Sequence, residues 1–372
     1  MAREGALKAT REDWDTDTVK HYVRSHGWGP ACENRAKAVR RAGRRLKEPL
    51  KYFTLCAGRA VDVFMLSRLG VLQIDGKTNR LQGVCWCEVR DDEAAEIERS
   101  VGGVGFRGRL EDILLFEDDA DTRRYTLDDE PEKRIRRKLN IKSLHEGLRG
   151  RFPFDILNLD FCGQFFPPDE PFSSPMLRLI DRMLEWQRDA DDQSCDSFTL
   201  LLTSCIRKRR SQDAMAELTT RLQDNIEQSP PFREAYESTF SGTDPKSLRE
   251  RDLPAFFSVA LPKVITSRAR ERQWSPVHVG TFVYTRSNSQ TGESYWMLSW
   301  VAHFSRVTGQ ALKGNQRDPL YEKAITDIFA HGPVDVRKAL SLRGVKKEVR
   351  EDLAAVRKHR DRYWNAIAES RN

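Results

Sequence analysis

Residues 154–163 have the sequence FDILNLDFCG, an apolar run that ends in a carboxylate and then a glycine. This pattern predicts a strand buried on both faces, with Asp160 at its carboxyl end. Residues 197–203, SFTLLLT, are apolar in the same way and predict a second buried strand. Between the two, Ser174 and Pro175 are the residue types of a helix N-cap and a first helical position. Strand, helix and strand in this order predict one βαβ unit of a parallel sheet.

The same alternation begins earlier in the chain. Residues 52–57, YFTLCA, predict a first strand, and a helix is expected over residues 60–69. A second strand is expected over residues 82–88, with Glu88 at its end, and a short third strand near residues 104–106. We therefore predict an α/β fold with a doubly wound, mainly parallel sheet.

Two later candidate strands are connected differently. They cover residues 277–285 and 295–306, and the link between them is rich in Ser, Asn, Gln and Gly, which favours an antiparallel hairpin. The predicted sheet therefore has seven strands and a C-terminal antiparallel hairpin. Helical segments complete the prediction: a basic N-terminal segment at 1–50, an insert at about 211–270 within a domain at 51–306, and a C-terminal extension at 307–372.

Composition limits the class of protein. The chain has 372 residues, 63 Lys and Arg against 56 Asp and Glu, and a formal net charge of +7. This length is enough to bury a large core. No run of about eighteen apolar residues is present and the N-terminus lacks the apolar core of a signal peptide, so no membrane span is expected. The seven scattered cysteines are typical of a reducing compartment, which predicts a cytoplasmic protein.

The small excess of positive charge is concentrated in a few clusters. A helical stripe within residues 35–51 includes Lys37, Arg41, Arg44 and Arg45. A run of four basic residues follows the fifth predicted strand directly: Arg207, Lys208, Arg209 and Arg210. Such clusters are either solvated helix faces or phosphate-binding surfaces. Because both are expected near one crevice, we predict a nucleic acid partner, with DNA and RNA both open.

In doubly wound sheets, ligands bind beyond the carboxyl ends of the strands, near the point where the strand order reverses. A carboxylate after the second strand can accept hydrogen bonds from both hydroxyls of a ribose, and a glycine lets the backbone approach a ligand closely. The residues expected at this edge are Cys56, Ala57, Gly58, Arg59, Glu88, Glu111, Asp112, Asp160 and Cys162. Glu111 and Asp112 follow the third strand, where an adenine amino group could be recognised.

Plainer alternatives stay open for several of these residues. Glu88 could be a polar loop residue, and Asp160 could cap the loop that follows it. Cys162 is a candidate nucleophile, although no histidine is near it in sequence. Cys85 and Cys87 lie on the same side of a strand without a matching Cys or His pair, which indicates core residues rather than metal ligands.

This order of elements resembles the class I S-adenosylmethionine-dependent methyltransferases over about residues 50–306, by layout more than by motif. The resemblance implies that residues 57–59 lie under the methionine part of the cofactor and that Glu88 holds its ribose. It also implies that Glu111 or Asp112 lies near the adenine, and that residues 160–163 face the methyl-accepting atom. The first loop departs from the family, because it has one glycine and an arginine where the family has an acidic residue and two or three glycines.

Three functions follow from these observations. The leading hypothesis is an S-adenosylmethionine-dependent methyltransferase that acts on a nucleic acid, with Asp160 aligning the acceptor. The alternative is a methyltransferase fold without catalytic activity that binds nucleic acid or assembles with protein partner subunits; the single-glycine loop and the helical additions motivate it. A dinucleotide-dependent oxidoreductase is less favoured because the chain lacks a G-x-G-x-x-G motif.

Overall fold

A mixed sheet of eight strands forms the centre of the molecule in the computed structural model of the chain. The structure describes residues 18–42, 49–55, 60–88, 90–116, 141–164, 174–190, 196–206, 212–287, 294–307, 318–330 and 332–369. In this part of the chain, no helix has both the length and the apolar character needed to cross a lipid bilayer.

The strands occur where the sequence predicts them, with one addition. Their bounds are β1 Tyr52–Thr54, β2 Val84–Glu88, β3 Val104–Arg107, β4 Ile156–Gln164, β5 Ser197–Ile206, β6 Trp274–Ser287, β7 Ser294–Arg306 and β8 Val334–Asp335. The order across the sheet is β3-β2-β1-β4-β5-β7-β6-β8. The first five strands in sequence, β1 through β5, are parallel to their neighbours among one another, while β7 is antiparallel to both β5 and β6. The α/β class and the hairpin are confirmed, but the strand number is not, because the two-residue β8 pairs with β6.

Helices cover both faces of the sheet. In chain order they are α1 Thr18–Val23, a π-helical turn Arg24–Trp28, α2 Gly29–Arg41, α3 Val61–Arg68, α4 Asp91–Ser100, a 3₁₀ helix Leu110–Phe116 and α5, described over 141–149. They continue as α6 Pro175–Asp189, α7 Gln212–Gln228, α8 Pro230–Phe240, α9 Pro245–Arg251, α10 Leu253–Glu271, α11 Pro319–Ala330, α12 Val336–Ser341 and α13 Val345–Glu369.

Side chains that alternate along the strands build two cores. Phe53, Leu157 and Leu200 belong to the core that includes α6 and α10. Tyr52 and Ile156 point to the opposite face and belong to the core that includes α1, α3 and α13. Because successive residues of a strand face opposite sides, a strand covered on both faces must be apolar nearly throughout. This requirement explains the uninterrupted apolar runs of β4 and β5.

The N-terminal helical segment, α1 to α2, crosses one face of the sheet from the carboxyl edge to the amino edge. At one end, Lys20 pairs with Asp160 near the carboxyl end of β4. At the other end, the Arg35 guanidinium donates to Asp155 Oδ1 at 2.9 Å, just before β4 begins. Arg35 also donates to the Ser197 hydroxyl, at the first residue of β5. The last turns of α2 therefore lie at the amino edge.

The C-terminal helix α13 fastens this segment to the rest of the fold. His21 on α1 lies 2.8 Å from Asp352 Oδ2 on α13, and Arg68 on α3 pairs with the same carboxylate. Further along α13, the Tyr363 hydroxyl accepts a hydrogen bond from the Leu81 amide at 3.0 Å. Asp352 thus joins three helices that are far apart in sequence.

We expect acidification from about pH 7 to about pH 5 to destabilise the fold through its histidines. Burial lowers the pKa of His21, and the nearby Arg24 and Arg68 act in the same direction, against the opposing effect of Asp352. Burial also lowers the pKa of His303 and of His359. Below the unfolded histidine pKa of about 6.5, the unfolded chain therefore takes up protons that the folded chain does not. The stability that is present above this pH is lost as the pH falls.

Thermal unfolding at both pH values measures this effect. His21→Gln should reduce the fall in Tm between pH 7 and pH 5, because it removes one of the titrating groups. Protonation of Asp352 destabilises the fold further at lower pH, because the hydrogen bond with His21 lowers the pKa of the Asp352 carboxyl group in the folded chain. An equal fall in Tm for the wild type and the variant would exclude His21 as a contributor.

Candidate functional site

The strand order reverses between β1 and β4, which places the expected ligand crevice beyond their carboxyl ends. Thr54 pairs in register with both Trp86 on β2 and Asn158 on β4. Glu88 and Asp160 lie two residues further along these strands, so they share one level and one face of the sheet. Strand spacing separates them by about 10 Å across the line of β1. The two carboxylates thus lie at the edge where the sequence predicts them.

Asp160 forms a buried ion pair. The Lys20 ammonium on α1 lies 2.5 Å from Asp160 Oδ2, and the side chains are 6% and 12% exposed. The other oxygen, Asp160 Oδ1, is buried and has no hydrogen-bond partner among the described residues. The pairing of β4 with β5 becomes irregular directly after Asp160, a feature often found beside active sites. Asp160 therefore offers one free acceptor oxygen at the switch point.

Sequence reasoning did not identify Lys20. Its neighbours Val19 and Val23 indicate an ordinary amphipathic helix, in which a lysine is expected to face solvent. The contact with Asp160 depends on where α1 packs on the sheet, and no local pattern encodes that placement.

A second carboxylate lies below the crevice and joins β1, β4 and α3. Asp62 Oδ2 accepts hydrogen bonds from the Tyr52 hydroxyl at 2.6 Å, the Thr54 hydroxyl at 2.9 Å and the Asn158 amide at 3.0 Å. Burial and the charge of Asp62 raise the pKa of Tyr52 well above its usual range, so its hydroxyl remains a donor. Asn158 Oδ1 is buried without a partner among the described residues, like Asp160 Oδ1. Two free acceptors therefore lie on one face of β4.

The acidic residues predicted at the ends of β2 and β3 are close together. Glu88 accepts a hydrogen bond from the Arg90 amide at 3.0 Å, and Glu111 and Asp112 begin the 3₁₀ helix that follows β3. Burial, reinforced by the charge of Asp112, raises the pKa of Glu111. The charges of all three acidic residues act on the Cys87 thiol, whose pKa is raised mainly by burial. Cys87 is therefore a core thiol, as the sequence indicates.

The other predicted site residues are either outside the described part of the chain or separated from the crevice. Lys37 and Arg41 are exposed on α2, beyond Arg35 and therefore toward the amino edge. The expectation that this stripe flanks the crevice is wrong for these two residues, because α2 runs away from it. Cys162 lies on β4, but its side chain is not described. Outside the described residues are Cys56, Ala57, Gly58, Arg59, Arg44, Arg45, Arg207, Lys208, Arg209 and Arg210.

Comparison with known proteins gives one family. The model of a family described as PP_RS20740-like matches residues 17–315, a range that contains the N-terminal helical segment, the whole crevice and the hairpin. No curated protein matches the chain, and no solved structure does. The matched range ends before α11, so the fastening helix α13 lies beyond it.

Proposed function

The chain belongs to the PP_RS20740-like family, and we propose that it is an S-adenosylmethionine-dependent methyltransferase of the class I type whose acceptor is a nucleic acid. One observation carries this proposal: Asp160 lies at the switch point of a doubly wound sheet, and one of its oxygens is buried and accepts no hydrogen bond from any described residue. A buried acceptor without a partner is costly, and a ligand that donates to it removes the cost.

The arrangement of the sheet supports the methyltransferase layout. Five parallel strands run in the doubly wound order 3-2-1-4-5, and an antiparallel hairpin closes the sheet. These are the features on which the resemblance in sequence rests. The carboxyl edge of this sheet carries Glu88, Asp112 and Asp160, while Arg35 and Asp155 close the amino edge with an ion pair.

The carboxylates suit the polar groups of the cofactor. Glu88 can accept hydrogen bonds from the two hydroxyls of a ribose, since an ionised carboxylate has acceptor sites on both oxygens. Glu111 and Asp112 lie one strand further from the switch point, where an adenine amino group can donate to them. Bound at this edge, the cofactor supplies an electrophilic methyl group.

Asp160 is suited to align the acceptor. Lys20 engages Oδ2 and leaves Oδ1 to accept the N–H or O–H of the group to be methylated. If the carboxylate also takes this proton during transfer, general-base catalysis of this kind contributes typically 10²–10⁴-fold to a rate. Because Lys20 and Asp160 are both largely buried, the pair has little freedom to move away from the crevice.

A nucleic acid acceptor is proposed from the charge around this edge. β5 ends at Ile206 on the carboxyl edge, and the next four residues in sequence are Arg207, Lys208, Arg209 and Arg210. Four adjacent cations attract a phosphodiester backbone and make the affinity depend on salt. This part of the proposal rests on the sequence alone.

One observation favours a second candidate, a methyltransferase fold without catalysis. Lys20 places an ammonium against Asp160, and a cation at this position disfavours a positively charged sulfonium nearby. Binding and transfer are therefore measured separately. In this second candidate, nucleic acid binding persists while methyl transfer is absent.

Titration calorimetry tests the cofactor site. We expect the wild type to bind S-adenosylmethionine, and Glu88→Gln to weaken binding about tenfold because it removes a charged acceptor of hydrogen bonds. Glu98→Gln is the matched control, since Glu98 is a largely exposed carboxylate on α4, and it should leave the affinity unchanged. The absence of binding of S-adenosylmethionine and of its demethylated product at about 1 mM would refute the proposal.

Transfer of a radiolabelled methyl group to single-stranded DNA, duplex DNA and RNA tests the acceptor. Incorporation into any one of them identifies the nucleic acid. Cofactor binding with no incorporation into any of them supports the inactive alternative.

A further inference from the structure

Arg24, in the π-helical turn of the N-terminal segment, is a buried cation without a partner among the described residues. The residue is 5% exposed, and its Nε and Nη1 atoms are buried without a hydrogen bond. Three other buried cations of the described chain each have an acceptor: Lys20 pairs with Asp160, Lys263 donates to the Arg221 carbonyl, and Arg35 pairs with Asp155, although its Nε makes no hydrogen bond. An ionised group held out of water without a partner is strongly unfavourable, so Arg24 calls for an explanation.

The position of Arg24 is fixed by its neighbours on the same helix face. Lys20, Arg24 and Trp28 are spaced by four residues and therefore share that face. Lys20 contacts Asp160 on β4, and the Trp28 indole donates to the Ser299 hydroxyl on β7 at 3.1 Å. These two contacts place the helix across the carboxyl half of the strands.

The strand between these contacts is β5. Asp160 pairs in register with Thr203 on β5, and Thr203 pairs with Ser299 on β7, so the three residues lie at one level. Arg24 lies between Lys20 and Trp28 on the helix, so the contacts of these two neighbours put it over the carboxyl half of β5. The π-helical turn adds to this argument, because such turns are rare and are frequent at functional sites.

We propose that Arg24 binds an oxyanion of the ligand that occupies the crevice. This inference rests on the proposed function, in which two such groups are available: the carboxylate of the methionine part of the cofactor and a phosphate of the nucleic acid. A guanidinium is suited to either one, because its planar fork can make two parallel hydrogen bonds to a pair of oxygens. The ligand would supply the counter-charge that no described residue provides.

Arg24→Met separates a binding role from a structural role. A buried cation that is unpaired in the absence of ligand destabilises the ligand-free protein. Its replacement by an apolar side chain of similar length should therefore keep or raise the Tm. Arg35→Met is the matched control: it removes a buried arginine of the same segment that does have a partner, and should lower the Tm. A comparable fall in Tm for both variants would overturn the inference.

Binding measurements identify the source of the oxyanion. If it is the cofactor carboxylate, Arg24→Met should weaken S-adenosylmethionine at least about tenfold and leave 5′-methylthioadenosine, which has no carboxylate, unchanged. If it is a phosphate, the affinity for S-adenosylmethionine is retained, while oligonucleotide affinity and its dependence on salt both decrease.

Wild-type affinity of Arg24→Met for all three ligands would overturn the inference and leave the proposed function intact. A wild-type protein that binds oligonucleotide but no S-adenosylmethionine would instead refute the proposed methyltransferase. In that case a weaker oligonucleotide affinity of Arg24→Met would still support the oxyanion site.

Discussion

Asp160→Asn should reduce methyl transfer at least about 100-fold and destabilise the fold by about 3 kcal/mol. Activity falls because the amide of asparagine is neutral. Its oxygen accepts a weaker hydrogen bond from the N–H or O–H of the group to be methylated than the charged carboxylate does. The loss of stability has a separate cause: the Lys20 side chain, which is 6% exposed, loses the carboxylate that pairs with it. The two effects are measured by radiolabelled methyl transfer and by thermal unfolding.

A double-mutant cycle isolates the pair. Lys20→Met alone and Asp160→Leu alone should each be destabilising, because each leaves the remaining charge of the pair buried without its counter-charge. Lys20→Met combined with Asp160→Leu should recover much of the loss, since an apolar pair avoids the desolvation of both charges. Additive effects of the two single changes would show that the ion pair does not couple them.

An exposed ion pair provides the matched control for stability. Lys323 and Asp327 lie 2.6 Å apart on α11, with side chains that are 70% and 32% exposed. Asp327→Asn should change stability by less than about 0.5 kcal/mol, because water replaces the lost contact.

Cofactor affinity of Asp160→Asn should stay within about threefold of the wild type, since Asp160 acts on the acceptor. A large fall in cofactor affinity would show that Asp160 binds the cofactor and not the methyl acceptor.

Periodicity in the sequence was sufficient for the frame of the fold. The strands β1, β2, β4 and β5 and the hairpin appear where apolar runs end in turn residues, because strand burial directly dictates those runs. The position of Glu88 and Asp160 at one edge follows from parallel topology alone. The charged C-terminal helix over Val345–Glu369 also follows from local periodicity.

The contacts that complete the site depend on tertiary packing. Lys20 reaches Asp160 only because α1 lies across the carboxyl half of the sheet, and Asp352 contributes to that placement through His21. The direction of α2 likewise decides that Lys37 and Arg41 lie at the amino edge, although their helical stripe is plain in the sequence. With two residues, β8 is too short to show the alternation of apolar and polar residues that predicts a strand. It forms by pairing with the free edge of β6.

Asp62→Ala should be the most destabilising change at the crevice, by about 4 kcal/mol. Asp62 Oδ2 accepts from Tyr52, Thr54 and Asn158, and each hydrogen bond to a charged acceptor contributes about 1.5–3 kcal/mol. Alanine leaves all three donors buried without their carboxylate acceptor. The estimate is below the simple sum because the donors can partly re-pair, as the Asn158 amide already lies 2.9 Å from the Tyr52 hydroxyl.

The effect on ligand binding should follow from the position of Asp62 in the first turn of α3, three residues after Arg59 in the sequence. Loss of its hydrogen bonds frees α3 from β1 and β4, so we expect S-adenosylmethionine affinity to fall at least about tenfold. Asp75→Ala is the control: Asp75 also accepts two hydrogen bonds, from the Lys77 amide and the Thr78 hydroxyl, but in a surface turn. It should alter neither Tm nor affinity appreciably. If the Tm of Asp62→Ala is no lower than the Tm of Asp75→Ala, the hydrogen bonds to Asp62 do not stabilise the switch point.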